Sequence, residues 1–192
     1  MLSTPLSLLT PLFAFLAATN AATLQPRADC VANITGVLSA NTKDSGFMPF
    51  MLNADSQLFF GTENPLVAEF QICNGGTSNP DNNVAFGGRI YLPTLNKCLN
   101  VTNQENAEEP YFAQAAACDT GFLPSAAQTW NLRFDEDQGI YWSGKTDEEG
   151  TILQGGCGLL GYEAFFRDGR PILRQEQTQS RITCGGAPFR IV

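Results

Sequence analysis

Lys97-Cys98-Leu99-Asn100-Val101, then Ala113-Gln114-Ala115-Ala116-Ala117-Cys118-Asp119, then Gln128-Thr129-Trp130-Asn131-Leu132: this stretch decides how the rest of the chain is read. Two cysteines stand twenty positions apart, and a Gln-x-Trp follows the second by ten. On both sides, short runs rich in β-branched and aromatic residues fall at 47–52, 57–60, 66–72, 89–92, 129–134, 139–143, 164–167 and 181–183. Turn residues such as Pro49, Pro65, Gly87, Gly88, Pro93, Pro110 and Gly121 separate them. Strand-length runs between glycine and proline punctuation are strand signals. The longest helix-like run, 113–117, is too short to be counted as a helix. Many short strands without a long amphipathic helix predict an antiparallel barrel or sandwich.

Two internal echoes sharpen this. Pro65, Ala68, Glu69, Cys73 and Gly76 return at a fixed offset as Pro110, Ala113, Gln114, Cys118 and Gly121, and Arg89-Ile90-Tyr91-Leu92 is echoed by Gly139-Ile140-Tyr141-Trp142. Units then open near 47, 89 and 139, within approximate bounds of 30–86, 87–137 and 138–192. A repeat of this length suits a propeller blade, but three units are too few for a propeller. Closure of all three into one barrel is the better fit.

The opening stretch resembles a ricin B-type repeat, which has a C-L-D-V strand, a second cysteine about twenty residues on and a Q-x-W closing strand. The resemblance is complete only in the middle unit, and it implies a β-trefoil of three units. It also implies a bridge from Cys98 to Cys118, a structural Trp130 inside the barrel, and Gln128 tying down backbone in a turn. In sugar-binding members of the family the Asp of C-L-D-V accepts bonds from sugar hydroxyls, and an aromatic before the second cysteine stacks on the sugar. Here those positions hold Asn100 and Ala116, and the polar position before Gln128 holds Ala127. Gln71 and Leu159 stand at the related places in the outer units. A carboxylate accepts hydrogen bonds about twice as strong as those of a neutral amide. The family pockets are therefore eroded, with Asn100 and Gln128 left as the ligand-binding candidates.

Toward the amino terminus, residues 1–22 carry no charge and include an apolar run at 8–16 followed by Ala17, Ala18, Thr19, Asn20, Ala21 and Ala22. This is the grammar of a removable signal peptide over 1–21, although no basic residue precedes the apolar run. Arg27 raises the further prospect of trimming before Ala28. The remaining 22–192 suit one domain with a substantial core. No later run is long enough to cross a membrane as a helix, and no apolar tail suggests a lipid anchor. All six cysteines, Cys30, Cys73, Cys98, Cys118, Cys157 and Cys184, lie beyond the signal, which favours three disulfides in an exported protein. Order alone suggests Cys30 with Cys73 and Cys157 with Cys184 for the outer pairs. Asn33-Ile34-Thr35 and Asn100-Val101-Thr102 are acceptor sequons for N-glycosylation. A glycan on Asn100 would occupy the place where a family ligand docks.

Chemistry is conspicuous by what the composition lacks. There is no histidine, so no Ser-His-Asp or Cys-His arrangement can be written, and no zinc spacing either. A formal net charge of -8 repels nucleic-acid phosphates and anionic lipid heads. Glu108-Glu109, Asp135-Glu136-Asp137 and Asp147-Glu148-Glu149 offer carboxylate pairs, but in polar, turn-like stretches where carboxylates are solvated. The glycine-rich segments around Cys157 and Cys184 are not followed by a helix, so they read as turns rather than phosphate cradles. The adjacent aromatics Phe59-Phe60, Tyr111-Phe112 and Phe165-Phe166 must each, on a strand, turn one member away from the core. The expectation is a secreted, monomeric, non-catalytic binding module without cofactor or metal, whose partner is a glycan or cell-wall polymer. A protein-binding role, as a β-trefoil protease inhibitor or a host-directed small secreted protein, is the alternative, and an acidic-residue glycosidase the third.

Overall fold

The computed structural model describes residues 29–42, 46–73, 85–165, 168–173 and 179–192. The expected export signal and the trimming point at Arg27 lie outside these residues. Twelve strands follow in order: β1 (Cys30–Thr42), β2 (Gly46–Leu52), β3 (Leu58–Phe60), β4 (Val67–Cys73), β5 (Ala85–Leu92), β6 (Lys97–Val101), β7 (Tyr111–Ala116), β8 (Trp130–Arg133), β9 (Gly139–Trp142), β10 (Leu160–Tyr162), β11 (Arg181–Cys184) and β12 (Phe189–Ile191). A single 3-10 turn at Ala126–Gln128 is the one helical element among the described residues. The all-β expectation holds.

The strands close on themselves. Passing through hydrogen-bonded neighbours β1, β12, β9, β10, β11, β7, β6, β5 and β4 leads back to β1, a closed antiparallel barrel of nine strands. β8 pairs with both β5 and β9, so a shorter circuit through β1, β12, β9, β8, β5 and β4 closes as well. Hairpins β2 with β3, β6 with β7, and β10 with β11 stand beside that circuit. Each of β1, β5 and β9 pairs with the strand before it around the ring, the strand after it, and the strand three further on. The echo of 89–92 in 139–142 therefore joins strands with the same set of partners. The other echo does not: it aligns β4, which pairs β1 and β5, with β7, which pairs β6 and β11. The first strand of this pattern is likewise β1, not the run near 47, which belongs to the β2 hairpin.

Aromatic side chains fill the interior. Trp130, Trp142, Tyr111, Tyr162, Phe50, Phe70 and Phe189 are fully buried. Phe189 sits among Phe50, Trp130 and Tyr162 with ring centroids 5.2, 5.6 and 5.3 Å away, mostly edge to face. Such rings bury large areas and gain further from tilted contacts. Trp130 also donates from Nε1 to the Leu99 carbonyl at 3.2 Å, which satisfies its one polar atom.

The alanine-rich run at 113–117 forms most of β7 instead of a helical turn. Tyr111, Ala113 and Ala115 are buried while Phe112, Gln114 and Ala116 are half-buried, the alternation of a strand. Its register puts Ala116 opposite Cys98 and Ala113 opposite Val101, so small side chains fit where the strand meets β6. Three disulfides clip the barrel: Cys30 with Cys73, Cys98 with Cys118, and Cys157 with Cys184. The first ties the start of β1 to the end of β4, directly opposite in register. Close packing between β4 and β5 requires glycine at 88, where a Cβ would stand 2.2 Å from the Gln71 carbonyl oxygen and 2.9 Å from the Phe70 ring.

Candidate functional site

Gln128 and Asn100 do come together. Gln128 closes the 3-10 turn ahead of β8 and is only 2% exposed. Its Nε2 donates to the Ala117 carbonyl at 2.8 Å and reaches Asn100 Oδ1 at 3.5 Å, while its Oε1 accepts from the Asp119 backbone N–H at 3.0 Å. Asn100 is half-buried on β6 and donates from Nδ2 to the Val101 carbonyl at 3.1 Å. The hydrogen bonds of the pair are thus turned onto backbone, those of Gln128 to residues beside Cys118 and that of Asn100 to Val101. Gln128 fixes residues 117–119.

Those residues form one wall of a cleft with a volume of about 800 Å³. Facing them are Gln71 of β4, Arg89 and Tyr91 of β5, Asn96 of the β5–β6 turn, and residues 29–31 at the start of β1. The β4–β5 ladder places Gln71 opposite Arg89 and Glu69 opposite Tyr91, so these four polar side chains share one face of the sheet. Arg89 is 7% exposed, an unusual burial for a guanidinium, and its Nε donates to Gln71 Oε1 at 2.8 Å. Gln71 in turn donates from Nε2 to Glu69 at 3.1 Å. The Gln71 amide is held at both ends.

Tyr91 is half-buried and donates from its hydroxyl to Asn96 Oδ1 at 3.0 Å. Asn96 adopts a left-handed φ of 51°, a conformation asparagine tolerates better than most residues. The turn thereby brings a planar amide to the rim of the tyrosine ring. Asp119 completes the opposite wall, where its Oδ2 accepts from the Ser125 N–H at 2.8 Å and closes the loop after Cys118. Val31, 66% exposed, adds an apolar edge, and Asp29 a second carboxylate. One guanidinium, two carboxylates, two amides and a tyrosine ring form a polar, nearly charge-balanced cleft.

Neither Asn100 nor Gln128 lines this cleft. Gln71 does, yet with Arg89 and Tyr91 as neighbours. Sequence reasoning marked Arg89 and Tyr91 only as part of a repeat; the signal was an arginine at the centre of an otherwise apolar strand, between Gly88 and Ile90. The carboxylate clusters stand elsewhere. Asp135 pairs with Arg133, whose hydrogen bond holds its carboxyl below the usual range. Glu136 accepts the Tyr141 hydroxyl, Glu109 accepts the Cys184 N–H at 2.5 Å, and Asp147 accepts two backbone N–H groups of its own turn. Among the described residues no group of three or more metal-ligating side chains is gathered for a cation.

No family model matches this chain, and no curated protein or solved structure matches it.

Proposed function

We propose that the chain is a β-trefoil binding module of ricin B type that acts outside the cell and recognises a neutral glycan or cell-wall polysaccharide. The trefoil reading is supported by the shared partner pattern of β1, β5 and β9 and by three hairpins flanking a six-strand circuit. It is supported too by the Cys98 to Cys118 bridge and the buried Trp130 that the repeat implies. Three disulfides in a domain of this size suit an oxidising compartment.

The observation that carries the ligand class is the cleft of Tyr91, Asn96, Gln71, Arg89 and Asp119. A sugar presents apolar C–H faces and ranks of hydroxyls, and an aromatic ring beside planar polar groups is the matching surface. Two carboxylates offset the single guanidinium, and the chain carries a formal net charge of -8, so a neutral polymer is favoured over a polyanion. Pocket residues are held by hydrogen bonds before any ligand arrives, which limits the ordering cost of binding.

A glycan and polysaccharide array probed with the folded protein tests this reading. Tyr91→Ala should weaken binding to the best array ligand at least about tenfold, a loss of about 1.4 kcal/mol, while Phe165→Ala, exposed and outside the cleft, should leave it unchanged. A folded protein with no array binding, or with binding indifferent to Tyr91, would remove the proposal. No reducing sugar should be released from the same ligand.

One observation favours a second reading, a protein-binding role such as protease inhibition. Phe122 and Leu123, 59% and 44% exposed, stand in the loop that follows the cleft wall. An inhibition screen against cysteine and serine proteases, lost on Phe122→Ser, would select it.

A further inference from the structure

The two acceptor sequons sit in very different surroundings. Asn33 lies on β1 at an irregularity in the ladder with β4: Ala32 faces Gln71 and Ile34 faces Phe70, so Asn33 occupies no cross-strand position of its own. Both Asn33 and Thr35 are exposed. A bulged residue is left out of the ladder and free to direct its side chain to solvent. Asn100 lies between Leu99 and Val101, which are 0% and 1% exposed, and faces Gln114 across the hairpin. Its carboxamide is held on one side by the Val101 carbonyl and on the other by the buried Gln128.

We propose that Asn33 is the N-glycosylated residue of the mature protein and that Asn100 stays bare. In the transfer the Asn33 Nδ2 attacks the anomeric carbon of a lipid-linked oligosaccharyl pyrophosphate. The N–C bond forms, the C–O bond to pyrophosphate breaks, the amide nitrogen gives up one proton, and the lipid pyrophosphate leaves. Transfer occurs on the unfolded chain, so both sequons are offered; the fold then sorts the products. A sugar on Asn33 projects into water and leaves the strand ladder intact. A sugar on Asn100 presses against Gln128, whose bonds to Ala117 and Asp119 hold residues 117–119, and such chains fail to complete the β6–β7 hairpin.

The test is glycopeptide mass spectrometry on the full chain secreted by a eukaryotic host. One glycan is expected, on the peptide containing Asn33. Thr35→Ala, which removes the sequon but not the asparagine, should abolish it, and Asn33→Gln should do the same. Thr102→Ala should leave the intact mass unchanged apart from the substitution. A glycan on Asn100 in folded, secreted protein, or an unmodified Asn33, would overturn the assignment. The outcome does not depend on what the cleft binds.

Discussion

At the scale of one residue, Gln128 plays the part the repeat implies, an amide that ties down backbone in a turn. Its amide makes polar contacts, as its place before Trp130 suggests, but the contacts run to Ala117, Asp119 and Asn100 rather than outward. A residue type cannot tell which way a side chain faces; that depends on the loop folded over it. The consequence is testable in stability. Gln128→Ala removes the partner of the Ala117 carbonyl and of the Asp119 N–H, and each polar group left without a partner costs about 1 to 3 kcal/mol. A loss of about 2 to 6 kcal/mol is therefore expected in a urea titration. Because residues 117–119 wall the cleft, ligand affinity should fall with it, whereas Tyr91→Ala should reduce affinity with little change in the urea midpoint. A Gln128→Ala protein as stable as the parent would show that these bonds are replaced by water.

At the scale of elements, the bridge from Cys98 to Cys118 spans the hairpin of β6 and β7 and encloses a sequence separation of 20. Closing a loop of that length removes unfolded-state entropy worth about 3 kcal/mol. Replacing both cysteines with alanine should lower stability by about that amount, read as a shift in the denaturation midpoint with the far-ultraviolet spectrum unchanged. A midpoint that does not move would mean the reduced chain keeps the hairpin closed when unfolded. Elements also show where sequence reading succeeded. The runs at 47–52, 57–60, 66–72, 129–134 and 139–143 correspond to strands within a residue or so, because each is a short run rich in β-branched and aromatic residues between clear turn residues. β10 and β12 are three residues each, too short for any period to appear; β3, equally short, shows only as part of the run at 57–60. The run at 164–167 gives, within its described residues, only an isolated bridge from Ala164 to Pro171. β7 was hidden by its alanines, whose helical preference yields to pairing with β6 and to the burial of Tyr111.

At the scale of the whole molecule, the barrel was legible because many weak signals agreed, whereas the cleft was not, because no local segment contains it. Its walls come from β1, β4, β5 and the loop after Cys118, and they meet only once the β4–β5 register and two disulfides are set. The aromatic core that all these strands share also predicts how the protein fails in alkali. Burial pushes the Tyr162 phenol from 10.0 up to about 12, where it donates to the Asn41 carbonyl at 3.3 Å and accepts from the Asn41 N–H at 3.1 Å. Burial raises Tyr141 and Tyr111 too, helped by the Glu136 carboxylate for the first and by Glu109 and Glu108 for the second. Below pH 10 these phenols are neutral in both folded and unfolded chains and confer no pH dependence. As pH rises past 10.0, the unfolded chain sheds phenolic protons that the folded chain retains, so unfolding gains ground. The contribution of Tyr162 alone is on the order of 3 kcal/mol by the time its folded value is reached. Urea midpoints should therefore stay level up to about pH 10 and then fall steeply toward about pH 12, with the tyrosinate absorbance of Tyr111, Tyr141 and Tyr162 appearing together with unfolding rather than before it. Tyr162→Phe should flatten part of that slope while sacrificing its bonds to Asn41, and a midpoint that stays level throughout would mean the three hydroxyls reach water in the folded barrel.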